Sequence, residues 1–269
     1  MLRFSSSGRS HPGLVRGNNE DAGFAGPYLQ VVADGVGGAA AGEVASATAA
    51  YVVSALAGAS SGRDPADVLT HAVQVVHEQL VAGTAAVPER AGMGTTLTAL
   101  LVDEGRCALA HVGDSRAYVL RDGELSQVTR DHTYVQTLVD AGVISREEAR
   151  RHPRKNVVIN ALEASTLAKP DVTVVGIVEG DRFLLCSDGL TDLVDDDTIA
   201  RCLDTADPDD AVARLVQAAL DAGGTDNVTA LVSDVVDGPR LVPDGSMFGA
   251  FADPTLVVDP AAVHTESAG

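Results

Sequence analysis

Residues Thr95 to Val128 read TTLTALLVDEGRCALAHVGDSRAYVLRDGELSQV. Three short apolar runs of strand character stand out: Thr95 to Val102, Cys107 to Val112 and Arg116 to Leu120. Asp103-Glu104-Gly105-Arg106 and Gly113-Asp114-Ser115 part them. Arg121-Asp122-Gly123-Glu124 is an Asp-Gly hairpin signal leading into Leu125 to Val128. Successive hairpins predict an antiparallel meander rather than a parallel sheet.

Upstream, Tyr28 to Ala33 (YLQVVA) is a β-branched apolar run stopped by Asp34-Gly35, which predicts a strand and a turn. Val44, Thr48, Val52 and Leu56 recur at fourfold spacing and predict a helix from about Ala40 to Leu56. A second amphipathic helix is predicted from Pro65 to Val81, with Asp64 as N-cap and Pro65 as first residue. Downstream, Asp131 to Ala164 is polar and helical, punctuated by Pro153. Strands are predicted at Val172 to Val178, Arg182 to Cys186 and Asn227 to Val235. A helix from Pro208 to Ala222 is stopped by Gly223-Gly224. Helices, then strands, then a helix and a strand make an α+β layered sandwich. Beyond Gly238, Pro239, Pro243, Pro254 and Pro260 predict a flexible tail over 238–269, leaving one domain over 1–237.

The chain has 269 residues, 19 Lys and Arg against 38 Asp and Glu, and a net charge of −19. That balance argues against a nucleic-acid backbone and against an anionic membrane surface as partners. Cys107, Cys186 and Cys202 are odd in number, widely spaced and form no CxxC pair, so reduced thiols and a cytoplasmic setting are expected. No apolar stretch has the length or purity of a membrane span.

Four aspartates share one context. Asp34 ends VVAD, Asp114 follows ALAHVG, Asp188 ends FLLCSD, and Asp226 precedes NVTALV. Each abuts an apolar strand, and strand ends of a two-sheet core converge in space. Converging carboxylates repel unless a cation lies among them. An all-oxygen set points to Mg²⁺ or Mn²⁺ and away from Zn²⁺. The competing reading is that Asp-Gly and Gly-Asp-Ser are simply turn sequences. Arg16, in VRGNNEDAG, is suited to gripping phosphate, with Glu20 and Asp21 close by to hold metal-bound water. His111 is expected in the core, and His71 and His77 on a helix. His132 and His152 fall in the polar helical segment, within reach of a substrate.

These segments together resemble the PPM/PP2C family of metal-dependent protein phosphatases in its bacterial form. The matching text is Arg16-Gly17-Asn18-Asn19-Glu20-Asp21, Ala33-Asp34-Gly35-Val36-Gly37-Gly38 with Gly42-Glu43 behind it, and Gly92-Met93-Gly94-Thr95-Thr96. It continues with His111-Val112-Gly113-Asp114-Ser115-Arg116, Tyr118, Leu185-Cys186-Ser187-Asp188-Gly189-Leu190-Thr191-Asp192, and Gly224-Thr225-Asp226-Asn227-Val228-Thr229. The order is the family's, over roughly residues 10 to 236.

The resemblance implies a four-layer αββα sandwich, with two central antiparallel β-sheets flanked by helices. It implies hydrolysis of phosphoserine and phosphothreonine monoesters by a water activated between two Mn²⁺ or Mg²⁺ ions, with a third ion as a further option. Asp34 (bridging), the Gly35 carbonyl, Asp188 and Asp226 would hold the pair, Glu20 and Asp21 would act through water, and Asp114 would serve the third ion. Arg16 would bind the phosphoryl group. Asp131 to Ala164 resembles the family's flap. The implied partners are phosphorylated Ser/Thr proteins and Ser/Thr kinases, with a monomeric enzyme. Two departures stand out: Val36 replaces a histidine found in many eukaryotic relatives, and Glu163 replaces a usual glycine. Three rivals are a phosphatase dedicated to an anti-sigma antagonist, a catalytically silent phosphoprotein-binding or kinase-regulating module of the same fold, and a metal-dependent nuclease.

Overall fold

The computed structural model describes residues 1–36 and 41–263. The chain opens with β1 (Leu2–His11), β2 (Asp21–Ala25) and β3 (Leu29–Val36), followed by helices α1 (Gly42–Ala59) and α2 (Pro65–Ala86). Next come β4 (Gly94–Thr95), β5 (Leu97–Asp103), β6 (Arg106–Val112), β7 (Arg116–Arg121) and β8 (Glu124–Gln127). The flap region holds α3 (Tyr134–Asp140), α4 (Arg146–Arg150) and β9 (Leu162–Glu163). The remainder is β10 (Asp171–Val174), β11 (Arg182–Cys186), α5 (Asp188–Thr191), α6 (Asp196–Leu203), α7 (Pro208–Asp221), β12 (Val228–Asp237) and β13 (Ser246–Gly249).

Two antiparallel sheets form. One runs β1-β12-β11-β7-β8; the other runs β10-β6-β5-β3-β2-β13, with β4 and β9 joined to it through β3. Strand periodicity explains the layering. In β11, Phe183 and Leu185 face the other sheet while Leu184 and Cys186 face helices. In β5, Leu100 and Val102 join the inter-sheet core, and Ala99 and Leu101 pack under α1 and α2. Strands buried on both faces lose the apolar/polar alternation and appear as continuous apolar runs. Three core layers therefore hold four structural layers, as the αββα expectation required. Asp64 caps α2 through the Ala66 N–H, with Pro65 at the first helical position.

Several local expectations are corrected. Strand β3 does not stop at Asp34, because Gly35 and Val36 pair with Thr95 and Gly94. The run from Thr95 to Val128 is not one meander: β5 and β6 form a hairpin in one sheet, and β7 and β8 form one in the other, with the chain crossing at Gly113-Asp114-Ser115. β10 ends at Val174, short of Val178. Strands β1 and β2 and helix α6 have no counterpart in the sequence reading. Glu163 sits in β9 opposite Gly94 and is absent from the residues with left-handed backbone, so the loss of glycine there causes no strain. The motif residues Gly37 and Gly38 lie outside the described residues.

The expected flexible tail is also corrected over 246–263. β13 adds to β2, and Phe251 is buried against Phe24 and Tyr51. Val257 is buried as well, and the Val258 N–H donates to Thr48 Oγ1 on α1. This segment is a strap across the outer helices.

Candidate metal centre

The aspartates converge where the two sheets meet. Asp21 opens β2 directly opposite Asp34 in β3. The Asp34 N–H donates to Thr96 Oγ1 at 2.9 Å, and the Thr96 N–H returns to the Asp34 carbonyl at 2.9 Å. The Gly35 N–H donates to the Glu20 carbonyl at 3.1 Å. A Cβ on Gly35 would lie 2.4 Å from the Gly42 carbonyl oxygen, so only glycine lets the start of α1 close over this strand.

The opposite sheet supplies Asp188, at the start of α5 just past β11, and Asp226, just ahead of β12. Gly189 presses on the loop before β12: a Cβ there would stand 1.9 Å from the Asn227 carbonyl. Ser187 joins the sheets, donating to Asp21 Oδ2 at 2.7 Å while its Oγ accepts the Thr229 N–H at 2.9 Å. Asn227 ties down the N-terminal loop. Its Oδ1 accepts the Glu20 N–H at 2.8 Å, and its Nδ2 donates to the carbonyls of Pro12 and Asn18 at 3.0 and 2.8 Å.

Electrostatics show how crowded the carboxylates are. Burial pushes the Asp21 carboxyl up to about 7, opposed by its hydrogen bonds from Ser187 and Thr229 and reinforced by Asp188 and Asp226. Burial, then Asp21, Asp188 and Asp114, hold Asp34 well above the usual carboxylate range. Asp188 rises to about 6 through burial and the charges of Asp192 and Asp226, with its Asp34 bond and Lys155 pulling the other way. Asp114 is raised by burial, Asp188, Asp131 and Asp192 against the pull of Arg116. The Asp21 Oδ1 atom is buried with no hydrogen-bond partner. An unpartnered buried carboxylate oxygen among mutually repelling carboxyls is a donor set that fits a hard divalent cation. Among the described residues, no group of three or more His, Cys, Asp and Glu side chains meets at a single point. Hard cations complete partial carboxylate sets with backbone carbonyls and water.

The exposed Arg16 donates to Asp226 Oδ2 at 2.7 Å, and Glu20 and Asp34 add to the negative field on its guanidinium. All eight residues singled out from the sequence are thereby brought to one region. Beside Asp114 and Asp188 opens a cavity of about 540 Å³, roofed by α3 and α4 and floored by α5 and the start of α6. Lys155 and Asn156 reach from the roof to Asp192 at 2.8 and 3.0 Å. His111 is buried, as expected, while His77 bonds the Glu163 carbonyl and His152 packs on Tyr134.

Sequence reading passed over Ser187, Asn227 and Asp192. Asp192 had a signal: it lies one helical turn beyond Asp188. Ser187 and Asn227 stood inside the matched motifs beside the aspartates, with no role of their own read for them.

A family model described as protein phosphatase 2C matches residues 17–222. The serine/threonine protein phosphatase PstP of Mycobacterium tuberculosis is 46% identical over 237 residues, which are 88% of this chain and 46% of that protein, so this chain spans about half of that relative's length. The serine/threonine phosphatase stp of Listeria monocytogenes is 35% identical over 83% of this chain and 93% of its own length. The solved catalytic domain of PstP in complex with two manganese ions is 45% identical and superimposes with a TM-score of 0.83, covering 88% of this chain and all of that one. With the sandwich and the gathered aspartates already described, the chain belongs to the protein phosphatase 2C family.

Proposed function

We propose that the chain is a metal-dependent protein phosphatase acting on phosphoserine and phosphothreonine monoesters. The observation that carries this reading is the meeting of Asp21 and Asp34 from one sheet with Asp188 and Asp226 from the other, beside Arg16. Asp34, the Gly35 carbonyl, Asp188 and Asp226 would hold two Mn²⁺ or Mg²⁺ ions, Glu20 and Asp21 would hold water around them, and Asp114 would serve a third. When bound, the ions supply Lewis acidity and an activated water nucleophile.

The chain's own groups bind and orient. Arg16 exchanges its Asp226 partner for phosphoryl oxygens, presenting a planar pair of donors where charge develops. Ser187 keeps Asp21 aimed across the sheet gap, and Asn227 holds the loop that carries Arg16 and Glu20. The cavity beneath the flap is wide enough for residues flanking the phosphorylated side chain. Cys186 is no nucleophile, because burial pushes its thiol up to about 12.

On this reading residues 1–237 are the catalytic unit, and 246–263 brace it. Among the described residues no helix is long and apolar enough to cross a membrane. The three cysteines are free, which suits a reducing compartment. The same reading makes the chain a cytoplasmic monomer that opposes Ser/Thr kinases.

The test is hydrolysis of a phosphothreonine peptide with Mn²⁺ by the wild type, Asp34→Asn and Asp188→Asn. Wild-type activity that vanishes on chelation, and falls at least about a hundredfold in either variant, is the expected result. Metal-free turnover, or Asn variants at full rate, would overturn the reading.

A further inference from the structure

His132 stands at the only place, among the described residues, where the flap and the Asp114 turn share one side chain. Its ring Nδ1 accepts the Gly113 N–H at 3.1 Å, and its backbone N–H donates to the Gly113 carbonyl at 2.7 Å. Both polar backbone groups of Gly113 are therefore held by one residue. Gly113 has φ of 106°, in the left-handed region, and passes the chain directly to Asp114. From the other side, the flap returns to the same residue. The Ile159 N–H donates to the His132 carbonyl at 2.9 Å, and Asn160 Nδ2 lies 3.1 Å from the same Nδ1. Thr133 and Val158 form a β-bridge alongside. Because Nδ1 takes a backbone N–H, it carries no proton of its own, and the ring proton sits on Nε2, 3.1 Å from Asp171 Oδ2. The ring is buried and lies against His111, with centroids 4.9 Å apart and the planes tilted by 37°. The tautomer, the ring plane and the position are all fixed.

We infer that His132 is a positioning residue that couples the flap to Asp114, through the Nδ1 acceptor shared between Gly113 and Asn160. Displacing the flap pulls Asn160 from Nδ1, frees the ring to turn, and releases the Gly113 N–H in the turn that carries Asp114. The flap thereby sets the geometry of the cavity's inner wall. This rests on the metal-centre reading above for its consequence in catalysis, but not for its geometry.

Two amide substitutions separate the ring's functions. In His132→Asn the side-chain amide oxygen falls where Nδ1 was, and in His132→Gln the amide falls where Nε2 was. The experiment measures, on the full chain, hydrogen exchange of residues 155–162 without metal, and the Mn²⁺ concentration for half-maximal hydrolysis of a phosphothreonine peptide. In His132→Gln, flap exchange accelerates and the half-maximal Mn²⁺ concentration rises about tenfold or more. His132→Asn restores both to near the wild-type values. Asn160→Ala, which spares the ring and its core contacts, accelerates exchange and shifts the Mn²⁺ response in the same direction. It carries the test if His132→Gln fails to fold. Equal behaviour of His132→Asn and His132→Gln overturns the proposal. So does an Asn160→Ala chain with a loosened flap and an unchanged Mn²⁺ response. A wild type that hydrolyses nothing with Mn²⁺ refutes the phosphatase reading instead, and the exchange measurement still decides whether His132 pins the flap.

Discussion

At the scale of single residues, burial shifts several titratable groups in this protein away from charge. His111 is the plainest case, lowered from 6.5 to about 4 by burial and by the neighbouring His132. The unfolded chain takes up a proton at this residue below 6.5, and the folded one does so only near 4, so its contribution to stability declines as pH falls through that window. Replacing it with a neutral side chain of similar bulk, His111→Leu, removes that slope. The difference in unfolding free energy between wild type and variant should shrink or reverse from pH 7 to pH 4, by about 3 kcal/mol at most. Parallel urea titrations at several pH values check this, and parallel stability curves for the two proteins would contradict it. The aspartates were legible because each ends an apolar run, a context that one sequence displays on its face. Ser187 and Asn227 were not, because their partners Asp21, Glu20 and Pro12 lie 166, 207 and 215 residues away.

Secondary-structure elements divide along the same line. Helices α1, α2 and α7 were visible from fourfold spacing, an Asp-Pro start and a Gly-Gly stop, all of which act within a few residues. Strand β1 (LRFSSSGRSH) carries little apolar pattern and exists because it pairs with β12 from the other end of the chain. The 246–263 strap reads as disordered in sequence because proline and small residues dominate it. Its order comes from tertiary contacts that composition does not report: an open edge at β2, and a slot for Phe251 between Phe24 and Tyr51 at centroid distances of 6.4 and 6.5 Å. Phe251→Ala should therefore lower stability by about 3 kcal/mol, at the lower end for a buried aromatic because the site is peripheral. A shifted denaturant midpoint with an unchanged slope is the signature. An unmoved midpoint would mean the strap contributes nothing to the fold in solution.

The whole molecule is two sheets brought face to face, with like charges gathered at one end of the seam. That arrangement opposes folding until something positive enters. A ligand that binds only the folded state adds about 2.7 kcal/mol at a hundred times its dissociation constant. Mn²⁺ should thus raise the thermal midpoint by several degrees in the wild type and far less in Asp34→Asn or Asp188→Asn. Calorimetric scans with and without the ion decide it, and equal shifts in all three proteins would place the ion elsewhere. An α+β layered sandwich was readable from the order of helices and strands and its four layers from the family resemblance, whereas the crossing at Gly113 was not, since a hairpin turn and a sheet change look alike locally. The same seam settles the fate of the thiols. Cys107 is sealed inside it and Cys186 is sealed between β11 and the helices on its outer face, both thiols pushed up to about 12, while Cys202 on α6 keeps partial contact with solvent. A maleimide fluorophore added to the unaltered protein would therefore label a single site, placing an optical reporter on the helix whose first turn borders the flap.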